Sequence, residues 1–245
     1  MDRKYVNYQQ KEQYIRDLFT KIAPTYEFMN HLLSFNLDRL WRRKAISRFF
    51  RPSHLHILDA CCGTGELTEL LRQKLSPGGS VIGVDFCDEM LEIARNRHRD
   101  VKNVRYELAN IQHLEFPDAH FDAVYNCFSL RNLGDIPAAM REMCRVIKPG
   151  GQLLIIDITL PHSPVLLWYL MYMIPFIGRL FHGNKEPYSY LSASIRHFFR
   201  PEELQGCFIN EGLEQVEHMQ FLGGVVTAVC GTVRQKSGCL KRSGC

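Results

Sequence analysis

The stretch LDACCGTGELT, residues 58–68, has the residue types and spacing with which a chain can hold a nucleoside. Gly63 and Gly65 stand where an apolar run ends and a helical pattern begins, so backbone N–H groups and a helix N-terminus become accessible to a ligand. A plain strand-to-helix turn also uses G-x-G, so the pair needs support. Asp85, 20 residues after Gly65 and at the end of the next apolar run, is placed to take both hydroxyls of a ribose. A dinucleotide fits poorly, because the third glycine of G-x-G-x-x-G is Thr68 and Cys61 and Cys62 precede Gly63. A nucleoside without a pyrophosphate needs the tight turn and the acid but no phosphate cradle. Asn110 and Ile111 offer a polar contact to adenine and an apolar wall, or else a helix cap beside a buried aliphatic. Loop, acid and asparagine together describe a site for an adenosyl cofactor.

Such a site sits at the carboxyl ends of parallel strands, and the chain supplies the pattern for them. β-Branched runs at 56–61, 80–86, 103–110, 121–128 and 152–160 alternate with helical patterns at 66–75, 88–98 and 135–147. SPGG at 76–79 and KPGG at 148–151 supply turns back into strands. A helix over 201–212 follows, and then strands over 213–222 and 224–233 so closely linked that they must form an antiparallel hairpin at the sheet edge. Residues 11–51 read as two helices, broken near Pro24 and again at 34–36, that cap the sheet. The expected fold is α/β and Rossmann-like, with a mostly parallel seven-stranded sheet. Its divisions are an N-terminal helical cap (1–51), a main domain (52–233) with an apolar lid inserted at 160–200, and a basic tail (234–245).

With 245 residues, 46% hydrophobic, the chain can bury one full core. Its nine cysteines are odd in number and lack C-x-x-C spacing, so neither a disulfide framework nor a metal site is expected, and reduced thiols suit the cytoplasm. MDRKYVNYQQKEQYIRD lacks the apolar core of a signal peptide. Residues 1–51 carry eleven Lys/Arg against five Asp/Glu, and residues 231–245 carry four against none. Basic ends suit anionic lipid or nucleic acid, or are solvated faces and a frayed tail. The tail has too few apolar residues to offset its ordering entropy and is expected to be disordered. RNA modification would call for a stacking aromatic beside a catalytic motif after the fourth strand; SLRNL stands there instead, and no nucleic acid is expected.

VLLWYLMYMIPFIGRLF, residues 165–181, could be a membrane span, a core helix or a wall for an apolar substrate. Its apolar run from Val165 to Gly178 falls short of the roughly 20 residues a span needs, and Pro175 interrupts it. Lying directly after the fifth strand, it reads as a lid over the site, with Trp168, Tyr169 and Tyr172 suited to a membrane boundary.

LDACCGTG, GVDF, ELANIQHLEFPDAHFD and RVIKPGG, in this order, resemble the class I methyltransferases that use S-adenosylmethionine. FTKIAPTYEFMNHLLSFNLDRLWRR (19–43), CFSLRNLGDIPAAMREMCRVIKPGG (127–151) and YLSASIRHF (190–198) are similar, more narrowly, to the UbiE/MenG C-methyltransferases of menaquinone and ubiquinone biosynthesis. The resemblance runs from about residue 14 to 230. It implies that Gly63, Thr64, Asp85, Asn110, Ile111 and Cys127 line the S-adenosylmethionine site. Cys127 stands where the family often has serine and Ser129 where it has glycine; the doubled cysteine before GTG looks more like the menaquinone-pathway members.

The implied reaction is C-methylation of a prenylated demethylmenaquinol, the last step of menaquinone formation. Arg131 would stabilise the phenolate, unless it pairs with Asp135 at the surface. Asn132 would hold a quinol oxygen, Tyr26 and Trp168 would contact substrate, His31 and His197 would relay protons, and Asp157 would act as a distant base through water. The enzyme would touch the inner face of the cytoplasmic membrane peripherally and transiently; a homodimer is left open. The alternatives are a ubiquinone-precursor quinol, another lipid or phenolic acceptor, or a non-catalytic adenosyl-binding subunit.

Overall fold

The computed structural model describes residues 8–182 and 186–235. The disorder expected of the basic tail falls almost wholly on 236–245, outside the described residues. Both breaks expected near the N-terminus occur, and they yield three helices rather than two: α1 (Tyr8–Ile22), α2 (Tyr26–Leu33) and α3 (Leu37–Phe49). Pro24 lies in a 3-10 turn between the first two, and left-handed Phe35 (φ 53°) and Asn36 (φ 60°) end α2.

The chain continues as β1 (His56–Ala60), α4 (Glu66–Arg72), β2 (Ser80–Asp85), α5 (Asp88–Arg97), β3 (Val104–Leu108), β4 (Phe121–Cys127), α6 (Ile136–Val146) and β5 (Ile147–Ile158). Then come α7 (Pro164–Trp168), α8 (Ile174–His182), α9 (Glu186–Arg196), α10 (Pro201–Asn210), β6 (Glu214–Phe221) and β7 (Val226–Thr232). Most elements are shorter than their sequence patterns by one to three residues. β5 begins earlier than expected: Ile147 already pairs with Phe121, and the KPGG stretch is taken up as an irregularity before Ala123 meets Gln152.

The sheet order is β3-β2-β1-β4-β5-β7-β6, parallel from β3 to β5. β7 is antiparallel to both neighbours, so the expected hairpin is present with β6 alone at the edge. Strand order reverses between β1 and β4, which opens a crevice at their carboxyl ends. Alternate residues face opposite layers. Ile57, Tyr125 and Ile156 pack with α2, α3 and the lid, while Leu58, Val124 and Ile155 pack with α6 and α10. Burial of Trp41, Ile46 and Phe49 contributes about 2 kcal/mol apiece, so α3 belongs to the core.

The lid is one helical run from Pro164, with a π-turn at Tyr169–Met173. Pro175 lacks the N–H that would bond the Met171 carbonyl, and the wider turn accommodates that loss. Leu170 and Ile174 point into the core, whereas Val165, Trp168, Tyr172 and Phe176 form an exposed stripe. No helix among the described residues is long and apolar enough to cross a membrane.

Candidate active site

The loop after β1 turns tightly through left-handed Cys61 (φ 60°), Gly63 (φ 54°) and Gly65 (φ 83°). It is tied to β2 where Cys62 N donates to the Val84 carbonyl and Gly63 N to Asp85 Oδ2, both at 2.9 Å. At Gly65 a Cβ would stand 2.5 Å from the Tyr106 hydroxyl, so this position needs glycine for space as well as for φ.

The loop, the ends of β1, β2 and β4, and α1 enclose a cavity. Its wall includes Gly63, Thr64, Asp85, Asn110, Ile111 and Cys127, so the residues expected around the cofactor converge. Tyr26 and Asn132 line it too. The Asp85 carboxylate also accepts from Cys87 N (3.0 Å), and burial pushes its pKa up. Asn110 Oδ1 accepts from Gln112 N (2.9 Å), which turns the chain beside buried Ile111. Burial pushes the Cys127 thiol up to about 12, so it is an uncharged wall group.

Asp59 was not singled out from sequence, where it reads as one more strand residue. It is 1% exposed and lines the same cavity. Thr68 Oγ1 donates to its Oδ2 at 2.5 Å, while Oδ1 has no partner. Burial pushes this carboxyl up to about 7. A cationic ligand would satisfy the orphaned oxygen, and with Asp85 at the ribose position the wall matches the ammonium and ribose of S-adenosylmethionine.

A second cavity, of about 380 Å³, adjoins the first between α2, α3 and the lid. Trp41, Phe128, Ile158, Leu166, Leu170 and Ile174 make its wall apolar. Tyr169, expected at a membrane boundary, lines it instead and donates from its hydroxyl to the Leu33 carbonyl (3.2 Å), joining lid to cap. Tyr26 lies in the walls of both cavities. Burial raises its phenol pKa, and the charges of Arg131 and Arg42 oppose that rise.

The remaining residues divide. Arg131 does not pair with Asp135, whose carboxylate caps α6 by accepting from Ala138 N (2.9 Å). It is buried instead, with Nη1 2.5 Å from Asp157 Oδ1 and 2.7 Å from the Phe128 carbonyl, and its Nε has no partner. Asp157 is fully buried and also accepts from the backbone N–H of Arg131 and Ile158, so it stands as the counter-ion of Arg131. Asn132 Oδ1 accepts from the Tyr190 hydroxyl (3.2 Å). Trp168 is 55% exposed, packs on Tyr172 and lies in neither cavity wall. His197 lies in an outer groove with Arg196 and Arg200. His31 is enclosed by carboxylates: Nδ1 is 2.9 Å from Asp38 and Nε2 3.2 Å from Glu66. Glu27, His31 and Glu66 bring ligand atoms within 4.8 Å of one another, but Arg97 and Arg42 already neutralise the two glutamates.

A five-stranded parallel run with the 3-2-1-4-5 reversal, an antiparallel β7 and a cleft at the reversal lined by Asp59, Asp85 and Asn110 define the class I methyltransferase fold. Solved structures agree. A SAM-dependent methyltransferase from Thermotoga maritima superposes with a TM-score of 0.64 at 21% identity, over 89% of this chain and 99% of its own. One from Aquifex aeolicus gives 0.59 at 18% identity, over 78% and 89%. The chain belongs to the ubiE/COQ5 methyltransferase family, whose profile matches residues 7–233. It is 36% identical over 229 residues to the demethylmenaquinone methyltransferase of Lactiplantibacillus plantarum, covering 91% of this chain and 97% of that one. It is also 36% identical to the ubiquinone/menaquinone biosynthesis C-methyltransferase UbiE of Shewanella sediminis, over 91% and 92%. The protein is thus a methyltransferase that uses S-adenosylmethionine.

Proposed function

We propose that the protein methylates a ring carbon of a prenylated demethylmenaquinol to give menaquinol. The observation that carries this reading is the apolar cavity built against the cofactor cavity, with Tyr26 common to both walls. A prenylated ring fits it: the ring at Tyr26 and the tail along Leu166, Leu170 and Ile174. The family, and the doubled Cys61–Cys62 in the loop, support a quinol acceptor of the menaquinone type.

Bound S-adenosylmethionine supplies an electrophilic methyl group. Asp85 takes the ribose hydroxyls, Asp59 Oδ1 the ammonium, and Asn110 and Ile111 the adenine. Thr64 and Cys127 complete that wall. Asn132 and Tyr26 orient the quinol oxygen, and Arg131 contributes its unpartnered Nε–H from a turn fixed by Asp157. α1 and the lid exclude water. The exposed stripe of Val165, Trp168, Tyr172 and Phe176 rests on the membrane that holds the substrate tail, which makes the enzyme peripheral.

Methyl transfer from labelled S-adenosylmethionine tests the reading. Reduced demethylmenaquinol and a prenylated methoxybenzoquinol are compared at equal prenyl length, both in detergent. Higher kcat/KM for the naphthoquinol supports the menaquinone assignment; preference for the benzoquinol, or transfer to neither, overturns it.

A further inference from the structure

Arg42 is the one lysine or arginine among the described residues that lines both the cofactor cavity and the acceptor cavity; Arg16 reaches the first alone and Arg131 the second alone. Methyl transfer must take place where the two meet. We propose that Arg42 is a catalytic residue whose guanidinium holds the acceptor oxygen as a phenolate at that junction, an inference that rests on the quinol reading above.

The surroundings of Arg42 fit this task. It is buried, and both Asp38 Oδ2 (2.8 Å) and Glu66 Oε2 (3.1 Å) engage the same nitrogen, Nη1. His31 bridges these carboxylates from the other side, and Ser34 Oγ donates to Asp38 at 2.7 Å. The anchor therefore spans α2, α3 and the first turn of α4, which begins directly after the glycine loop. The guanidinium carbon stands 5.1 Å from the centre of the Phe128 ring, and the Cys127 thiol is a further hydrogen-bonding neighbour. Phe128 adopts φ 59°, a strained conformation for a bulky residue. Its N–H donates to the Ile156 carbonyl and its own carbonyl accepts from Arg131, both at 2.7 Å, so β5 and Arg131 hold the backbone that presents this ring to Arg42.

Two carboxylates on Nη1 keep the junction from repelling a cationic cofactor, and the side chain, 7% exposed, lines both cavities. Arg131 is less suited, since of the two cavities it lines the acceptor cavity alone and its free Nε is buried. The phenol proton leaves to solvent as the acceptor enters, so that the phenolate is what reacts. The ortho ring carbon then bonds the methyl carbon with its π electron pair, and the pair of the broken S–C bond returns to sulfur. The displaced ring proton passes to the oxygen, restoring a quinol and releasing one proton per turnover.

The test reads the ionisation of a bound phenol. A 1-naphthol bearing a short prenyl chain is titrated by absorbance on the protein together with S-adenosylhomocysteine. The charged or titratable groups around Arg42 are Asp38, Glu66, Tyr26 and Cys127, with His31 bridging the two carboxylates, so R42Q is compared with R42K and with R42Q/E66Q, which keeps the local net charge of wild type if R42Q does not fold. Naphthol bound to wild type and to R42K ionises about one pH unit or more below naphthol bound to R42Q or R42Q/E66Q. kcat falls roughly 100-fold in the neutral variants, while S-adenosylhomocysteine affinity changes less than about threefold. Equal ionisation in wild type and the neutral variants would overturn the role of Arg42. A wild-type enzyme that lowers the naphthol pKa yet methylates no quinol would overturn the acceptor reading instead.

Discussion

Replacing Asp59 with asparagine tests the cofactor site through its own electrostatics. Burial raises the carboxyl from 3.8 to about 7. Between about pH 4 and 7 the folded chain therefore holds a proton that the unfolded chain has released, so Asp59 makes stability fall as pH rises through that window. At about 1.4 kcal/mol per unit, the loss reaches at most about 4 kcal/mol by pH 8. Asparagine removes this ionisation and can still accept from Thr68, but its amide N–H₂ takes the place of the orphaned oxygen at a cost of about 1–3 kcal/mol. Wild type has already lost about 1.7 kcal/mol of this stability by pH 5, so D59N is expected to lie within about 1 kcal/mol of wild type at pH 5 and to be about 1–3 kcal/mol more stable at pH 8. Urea unfolding of the cofactor-free protein at the two pH values measures both differences. The same variant loses the partner for an ammonium group, so S-adenosylhomocysteine should bind roughly 10- to 100-fold more weakly at pH 8. A stability difference that does not change with pH would refute the assignment of a buried, proton-holding Asp59. Unchanged affinity would refute its role toward the ammonium.

D157N leaves Arg131 buried without its counter-ion and should cost about 3–5 kcal/mol in urea unfolding; a loss below about 1 kcal/mol would show that the pair is not holding the Phe128–Asn132 turn. Leu170→Gln, inside the acceptor cavity, should raise KM for a long-chain prenylated quinol far more than for a short-chain analogue, and equal effects would remove the tail from that cavity. Trp168→Gln, on the outer stripe, should leave the long-to-short KM ratio in detergent unchanged and weaken sedimentation with anionic vesicles; undiminished vesicle binding would free that stripe from the membrane.

The elements were legible because each depends on near neighbours. Alternating apolar residues with Gly and Pro between them specify strands and turns, and LDACCGTG with Asp85 marks a nucleoside loop from spacing alone. The hairpin at the C-terminal edge followed from the short link between its strands. The sequence was less able to count helices before His56, since a left-handed Phe-Asn pair interrupts a pattern that otherwise continues. Lid residues were misassigned for a related reason: Trp168 and Tyr169 are adjacent in an apolar run, yet a helix turns them to different sides, with Trp168 toward solvent and Tyr169 against Leu33.

By itself the sequence determined the α/β class and the adenosyl-type loop, because these rest on local periodicity and short-range spacing, while the family rested on the resemblance of its narrower motifs. Tertiary structure decided which charges act and which merely balance. Arg131 meets Asp157 instead of Asp135, Asp59 keeps an unpaired oxygen in the cavity wall, and Arg42 comes from the N-terminal helices to lie between two cavities. The physical reason is that a charge takes its role from its burial and its neighbours. For these side chains the neighbours lie on distant parts of the chain, brought together by packing that no local pattern encodes.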